Sequence, residues 1–250
     1  LVLDGTVKGG VRIGDYQRES GINTPIGGQL ILGDASGGGR TEDPSYRLPK
    51  TEIRGVVDSF VPDAGQTWLN TGLSDRGTTT LLSADLFAHG VSRFALYSNG
   101  AIDQKVAIDV GPGGTVSLLG SSVNVGNDIN APGGTIDIVS HKTGKVVADG
   151  SSLKAVVEIG GNVTVAQDSV LNVAGRWTND LKDGATALVV NRGGSINLDS
   201  AQDLLLSQGS VLDASAGAWL KGDGKLTQGG AGSITLRAAQ SNNRDGKLDL

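Results

Sequence analysis

The chain contains no cysteine and no methionine, and only two histidines and nine aromatic residues among its 250. Without cysteine there is no disulfide, no thiolate-bound zinc and no thiol nucleophile. This fits export that needs no oxidative folding. The lack of methionine, position 1 included, leads to the expectation of a segment excised from a larger protein, with any signal peptide lying outside it. His89 and His141 stand 52 residues apart, a poor inventory for acid–base catalysis, and no Gly-x-Ser-x-Gly elbow occurs. Both are read as surface or satisfied side chains. No apolar run approaches the roughly 18 residues of a membrane span. The 21 basic and 26 acidic side chains give a net charge of −5 and are spread without runs. No basic patch of the kind a phosphate backbone requires is present, so nucleic acid is not an expected partner.

What the chain has in quantity is glycine, 40 residues against an average share of about 7%, and the glycines head a recurring phrase. Gly193-Gly-Ser-Ile-Asn-Leu198 returns as Gly113-Gly-Thr-Val-Ser-Leu118, Gly133-Gly-Thr-Ile-Asp-Ile138, Gly160-Gly-Asn-Val-Thr-Val165 and Ala231-Gly-Ser-Ile-Thr-Leu236. Each copy alternates aliphatic with polar residues, the period of a strand with one dry face. The leading glycines supply a positive-φ or close-packed corner. A four-residue strand cannot bury its dry face alone, so the copies are expected to stack as a solenoid.

Taken in order, residues 1 to 33 read as short strands at the incoming end, among them Gly27-Gly-Gln-Leu-Ile-Leu32. Residues 34 to 78, with Gly37-Gly-Gly39, Pro44, Pro49, Pro62 and many charges, read as an irregular insertion, a loop-rich excursion from the stack. Six of the nine aromatics, Tyr46, Phe60, Trp68, Phe87, Phe94 and Tyr97, fall between 46 and 97 and are assigned to packing. Ser83-Ala-Asp-Leu-Phe-Ala-His-Gly90 predicts one short helix near 83–89, with Ser83 as cap, Leu86 and Phe87 facing inward and Gly90 at its end. From residue 100 the phrases begin at Gly113, Gly133, Gly160, Gly193 and Gly230, at separations that grow as loops are inserted. Second strands recur as Ser122-Val-Asn-Val125, Ser169-Val-Leu-Asn-Val173 and Ser210-Val-Leu-Asp-Ala214. Two or three strands per coil predict a right-handed parallel β-helix over 1–250. At about 4.8 Å per coil the rod would be on the order of 40 to 50 Å long.

Four stretches carry a family resemblance. Asn127-Asp-Ile-Asn-Ala-Pro-Gly-Gly-Thr-Ile136, Leu82-Ser-Ala-Asp-Leu-Phe-Ala-His-Gly-Val-Ser-Arg-Phe-Ala-Leu96, Ser169-Val-Leu-Asn-Val-Ala-Gly-Arg-Trp-Thr-Asn-Asp180 and Gly209-Ser-Val-Leu-Asp-Ala-Ser-Ala-Gly-Ala-Trp-Leu220 resemble the filamentous haemagglutinin family. These are large exoproteins of Gram-negative bacteria exported by two-partner secretion. The resemblance covers most of 80 to 240 and is weaker over 34 to 78. It implies a right-handed parallel β-helix, passage through an outer-membrane transporter engaged by a domain outside this segment, display at the cell surface or release, and adhesion to host or bacterial glycans or proteins. Some relatives carry a C-terminal toxin, and in them this segment would be a passive shaft; others are linked to haem.

Parallel β-helices also include polysaccharide lyases and hydrolases, which set Asp and Arg or Lys on adjacent coils. Asp137 and Asp199 are candidates. The outward positions Ser117, Asp137, Thr164, Asn197 and Thr235 form no acidic column, however, so no residue is assigned a catalytic role. Asn243-Arg-Asp-Gly246, with Ser241 at the first ligand position, echoes half of a calcium loop and reads as an Asx turn; Lys221-Gly-Asp-Gly224 reads as a turn too. No metal or cofactor is assigned. Two readings fit Trp177 and Trp219: cover for the side of the column, or platforms for sugar rings. The segments 34 to 78, 140 to 155, 176 to 192 and 215 to 231 read as loops and are the expected points of contact. The expected function is that of a stiff shaft in a secreted, surface-displayed adhesin.

Overall fold

In the computed structural model of the chain, the residues described are 2–3, 27–33, 50–55, 79–87, 90–140, 143–149, 152–158, 160–184, 187–238 and 248–249. Three parallel sheets form the body. The first face stacks β2 (Gln29–Leu32), β5 (Arg93–Tyr97), β8 (Thr115–Gly120), β11 (Thr135–Ser140), β17 (Ser195–Ser200) and β22 (Ser233–Ala238) in that order. The second stacks β1 (Val2–Leu3), β4 (Thr79–Ser83), β3 (Lys50–Arg54), β6 (Ile102–Gln104), β9 (Val123–Val125), β14 (Val163–Val165), β18 (Leu204–Leu206) and β23 (Leu248–Asp249). The third stacks β7 (Ile108–Asp109), β10 (Ile129–Asn130), β15 (Val170–Asn172) and β19 (Val211–Asp213). The chain visits the faces in turn, β5-β6-β7, β8-β9-β10, β11-β14-β15 and β17-β18-β19, and returns one rung further on each time. The fold is mostly β, built of parallel strands in register, the arrangement consistent with a parallel β-solenoid.

Register lines up the alternating apolar residues. Leu30, Phe94, Val116, Ile136, Ile196 and Ile234 form one column of the first face, and Leu32, Leu96, Leu118, Ile138, Leu198 and Leu236 a second. The second face adds Ile102, Val123, Val163 and Leu204, and the third Ile108, Ile129, Leu171 and Leu212. Most of these side chains are fully buried, at about 1.5–3 kcal/mol each relative to exposure. Among the aromatics, Phe87, Phe94 and Tyr97 are buried, and Phe87 meets Phe94 edge to face at 4.6 Å. Tyr46, Phe60 and Trp68 lie outside the described residues.

Glycine sets the spacing at one corner. Gly114, Gly134, Gly194 and Gly232 sit one above another, and a Cβ on Gly194 would overlap the Gly134 carbonyl oxygen. The backbone ladder passes straight through them: the N–H of Thr135, Ser195 and Ser233 donates to the carbonyl of Gly114, Gly134 and Gly194 at 2.8, 2.9 and 3.0 Å. The glycine in front has the turning role in two copies, with φ 72° at Gly113 and 64° at Gly133.

Several expectations need correction. The Gly160 phrase does not stack with its look-alikes: Val163–Val165 belongs to the second face, between β9 and β18. The 34–78 stretch is not wholly an excursion, since Lys50–Arg54 is a strand held between β4 and β6. Its charges, which read as loop, are the outward half of an alternating strand and pair across rungs, Lys50 with Asp103 at 3.1 Å and Lys105 with Glu52 at 2.8 Å. The helical turn at 83–89 is a 3-10 turn over Ala84–Phe87, with the Ser83 hydroxyl accepting from the Asp85 N–H at 3.2 Å and Leu86 and Phe87 buried. A second helix, α1 (Asp180–Asp183), was not expected; Asn179 caps its start and Gly184, at φ 83°, follows its end. The 140–155 stretch is no loop: β12 (Thr143–Asp149) and β13 (Ser152–Glu158) form an antiparallel hairpin. Such insertions take residues out of the coils. The eight described strands of the second face span seven spacings, about 34 Å, where 40 to 50 Å was expected for the whole rod.

The close glycine stack makes a prediction. Gly194→Ala will lower the unfolding free energy by about 1–3 kcal/mol, the cost of overpacking a filled space. Gly222→Ala, where a Cβ meets nothing within 4 Å, will change it by less than about 0.5 kcal/mol. Urea denaturation followed by circular dichroism reads both, and equal effects would refute the steric account.

Candidate functional site

Polar side chains on the outside of the coils stack as regularly as the aliphatics inside. On the first face Ser117, Asp137, Asn197 and Thr235 are in register. Asn197 Nδ2 donates to Asp137 Oδ1 at 2.7 Å, and Arg237 Nη1 donates to Asn197 Oδ1 at 3.2 Å and Asp199 Oδ2 at 3.4 Å. The two carboxylates singled out in the sequence are therefore brought into one cluster with an arginine. Each is engaged by an amide or a guanidinium, so the cluster ties neighbouring rungs together by charge-assisted bonds.

The third face carries a ladder that sequence reasoning missed. Asp109, Asn130, Asn172 and Asp213 occupy equivalent positions on β7, β10, β15 and β19. Asn130 Nδ2 donates to Asp109 Oδ2 at 3.1 Å, and Asn172 Nδ2 to Asn130 Oδ1 at 2.9 Å. Asp109, Asn172 and Asp213 also accept from the backbone two residues on, at Gly111, Ala174 and Ser215. At the equivalent place after Asn130 stands Pro132, which has no N–H to give, and the Asn130 oxygen takes the Asn172 amide instead. The Ser215 hydroxyl, and then its N–H, hold the Asp213 carboxyl below the ordinary carboxylate range. The signal was present as Ile108-Asp-Val110, Ile129-Asn-Ala131, Leu171-Asn-Val173 and Leu212-Asp-Ala214. The last two were read as parts of second strands, Ser169–Val173 and Ser210–Ala214, but the first two stand in no such phrase, so the row across all four was not seen.

Two concavities adjoin these elements. One, of about 420 Å³, is lined by the Asp109, Asn130 and Asn172 rungs together with Pro112, Pro132, Ala174, Gly175 and Arg176. The other, of about 780 Å³, lies against β18, β19 and β22 and is lined by Leu206, Leu212, Ile234 and Leu236 with the Ser207–Ser210 turn.

The expected contact segments at 176–192 and 215–231 come together. β16 (Thr178–Asn179), β20 (Ala218–Leu220) and β21 (Leu226–Gln228) form a small side sheet. It separates the two tryptophans. Trp219 is buried on it, its Nε1 donating to Asp180 Oδ1 at 2.9 Å and Lys221 Nζ lying 4.5 Å over its ring. Trp177 is 58% exposed. Lys221-Gly-Asp-Gly224 is a turn: Gly224 N–H donates to the Lys221 carbonyl and Lys225 N–H to Asp223 Oδ1, both at 2.9 Å. His89, His141 and the Ser241 to Gly246 stretch lie outside the described residues.

Among the described residues, no group of three or more His, Cys, Asp or Glu side chains could hold a metal ion, and no helix is long and apolar enough to cross a membrane. No family model, no curated protein and no solved structure matches the chain.

The different settings of the tryptophans set a second prediction. Trp219→Phe removes the hydrogen bond to a carboxylate and will cost about 1–2 kcal/mol of stability. Trp177→Ala will stay within about 0.5 kcal/mol of the parent. Comparable losses in denaturant titrations would mean that Trp177 is structural after all.

Proposed function

We propose that the chain is a right-handed parallel β-helical shaft of a secreted, surface-displayed bacterial adhesin of the filamentous haemagglutinin kind. Right-handedness is the hand that a crossover between parallel strands takes in almost every case. The observation that supports the reading is the unbroken register of the first face, where two apolar columns run through six strands. A stack in which every rung is tied to the next by backbone bonds, by a filled interior and by outward polar ladders resists bending, and such a body serves reach and presentation. The hairpin β12–β13 and the side sheet, inserted where the chain passes from one face to the next, are the elements it presents. Export runs through an outer-membrane transporter of the two-partner type, and the targets are host or bacterial surface glycans or proteins.

The reading is tested with purified chain coupled to fluorescent beads and applied to epithelial cells, to bacterial cells and to a glycan array. Saturable binding that free chain competes away is the expected result. Unsaturated or newly reducing ends released from uronate-containing polysaccharides, and abolished by Asp137→Ala or Asp199→Ala, would replace the adhesin with an enzyme.

A further inference from the structure

The third face and the side sheet are joined by a short passage. The chain follows the third face as far as Val173, and then Ala174, Gly175 and Arg176 carry it out into β16. The 420 Å³ concavity is bounded by this passage and by three rungs of the Asx ladder.

Its lining decides what it takes. An asparagine amide has two N–H donors and two lone pairs on its oxygen. Asn130 and Asn172 each spend one N–H on the ladder, leaving one donor apiece on side chains already fixed in place, on rungs about 4.8 Å apart. Groups that both accept and donate, repeated along a chain, match such a row, and hydroxyls do this. Beside the row stands Arg176, whose guanidinium makes no ion pair among the described residues. A guanidinium receives a carboxylate or sulfate through two parallel N–H bonds. Pro112 and Pro132 add apolar ring surface.

We infer that this groove binds an acidic oligosaccharide along the rungs, its hydroxyls on Asn130 and Asn172 and its anionic group on Arg176. The inference rests on the adhesin reading and assigns its ligand to one face of the shaft.

Isothermal titration of the whole chain with a galacturonate hexamer, a heparin hexasaccharide and maltohexaose tests it, the first two arms separating carboxylate from sulfate. One acidic hexamer is expected to bind and the neutral one to bind at least tenfold more weakly. Arg176→Ala is expected to weaken the acidic ligand on the order of tenfold. Asn172→Asp keeps the oxygen that caps Ala174 and removes both N–H groups of the amide, the free one and the one given to Asn130 Oδ1, and is expected to weaken it as well. Thermal melts superposing on the parent's show that both variants fold. Undiminished binding by the folded Arg176→Ala and Asn172→Asp proteins overturns the groove, as does failure of the parent chain to bind either acidic hexamer. If the parent beads still adhere to cells in that event, the groove alone is wrong; if they do not, the adhesin reading falls with it.

Discussion

Everything in this molecule depends on how closely one coil can lie on the next, and the tightest point is the column Gly114, Gly134, Gly194 and Gly232. There main chain rests on main chain with no room for a Cβ. The glycines are the condition for an unbroken hydrogen-bond ladder through the corner, and that ladder holds the aliphatic pairs one rung further along directly above each other. A one-residue slip would turn Ile196 and Leu198 outward and Asn197 inward. The corner therefore protects the core. Below Gly114 the position is taken by Ser92, whose carbonyl accepts from Thr115 N–H at 2.7 Å, so the strict requirement for glycine begins only where the regular coils begin.

Because register is fixed inside the coils, the connections between them are free to grow. The passage from the first face to the second is Ser121-Ser122 in one coil and a whole hairpin in the next, yet Val163 still lands on Val123. The passage from the third face back to the first runs through Gly111 to Gly114 in one coil and through β16 and α1 in another, yet Ile196 still lands on Ile136. Buried polar groups help the strands return to place. Ser140 Oγ donates to the Gly161 carbonyl at 2.7 Å and accepts from Ala201 N–H at 2.8 Å, so one hydroxyl ties the return from the hairpin to the coil above. Gln104, fully buried, donates to the Val106 carbonyl and accepts from Asn127 N–H at the passage from the second face to the third. The chain can thus vary what it displays without disturbing what it stands on.

The first face was legible in the sequence because period-two alternation over six residues with a glycine header is a strong and redundant signal. The same signal misplaced the Gly160 phrase, since a second-face strand preceded by a glycine pair reads no differently from a first-face one. Lys50–Arg54 was hidden by its charges, which neighbouring rungs neutralise only once the strand is stacked. The Asx ladder escaped notice because β7 and β10, of two residues each, carry too little periodicity to be seen beside the recognised strands β15 and β19; it emerges when all four are set side by side. Asp137 and Asp199 were singled out as candidate carboxylates, but their partners, Asn197 for the first and Arg237 for the second, are brought to them by register that no local pattern reveals. The short helix α1 had its cap Asn179 and its closing Gly184 in plain view, and four residues between them were too few to show a helical period.

The placement of β4 between β1 and β3 has a consequence for synthesis. Strand β3 precedes β4 in the chain, yet among the described strands its lower edge is paired only by Thr79–Ser83, and β1 touches β4 alone. As the polypeptide emerges, the described strands offer Val2–Leu3 and Lys50–Arg54 no neighbour on those edges until Thr79–Ser83 has been made. This part of the second face is thus paired out of chain order, whereas in the regular winding beyond it each rung lies on the one made just before.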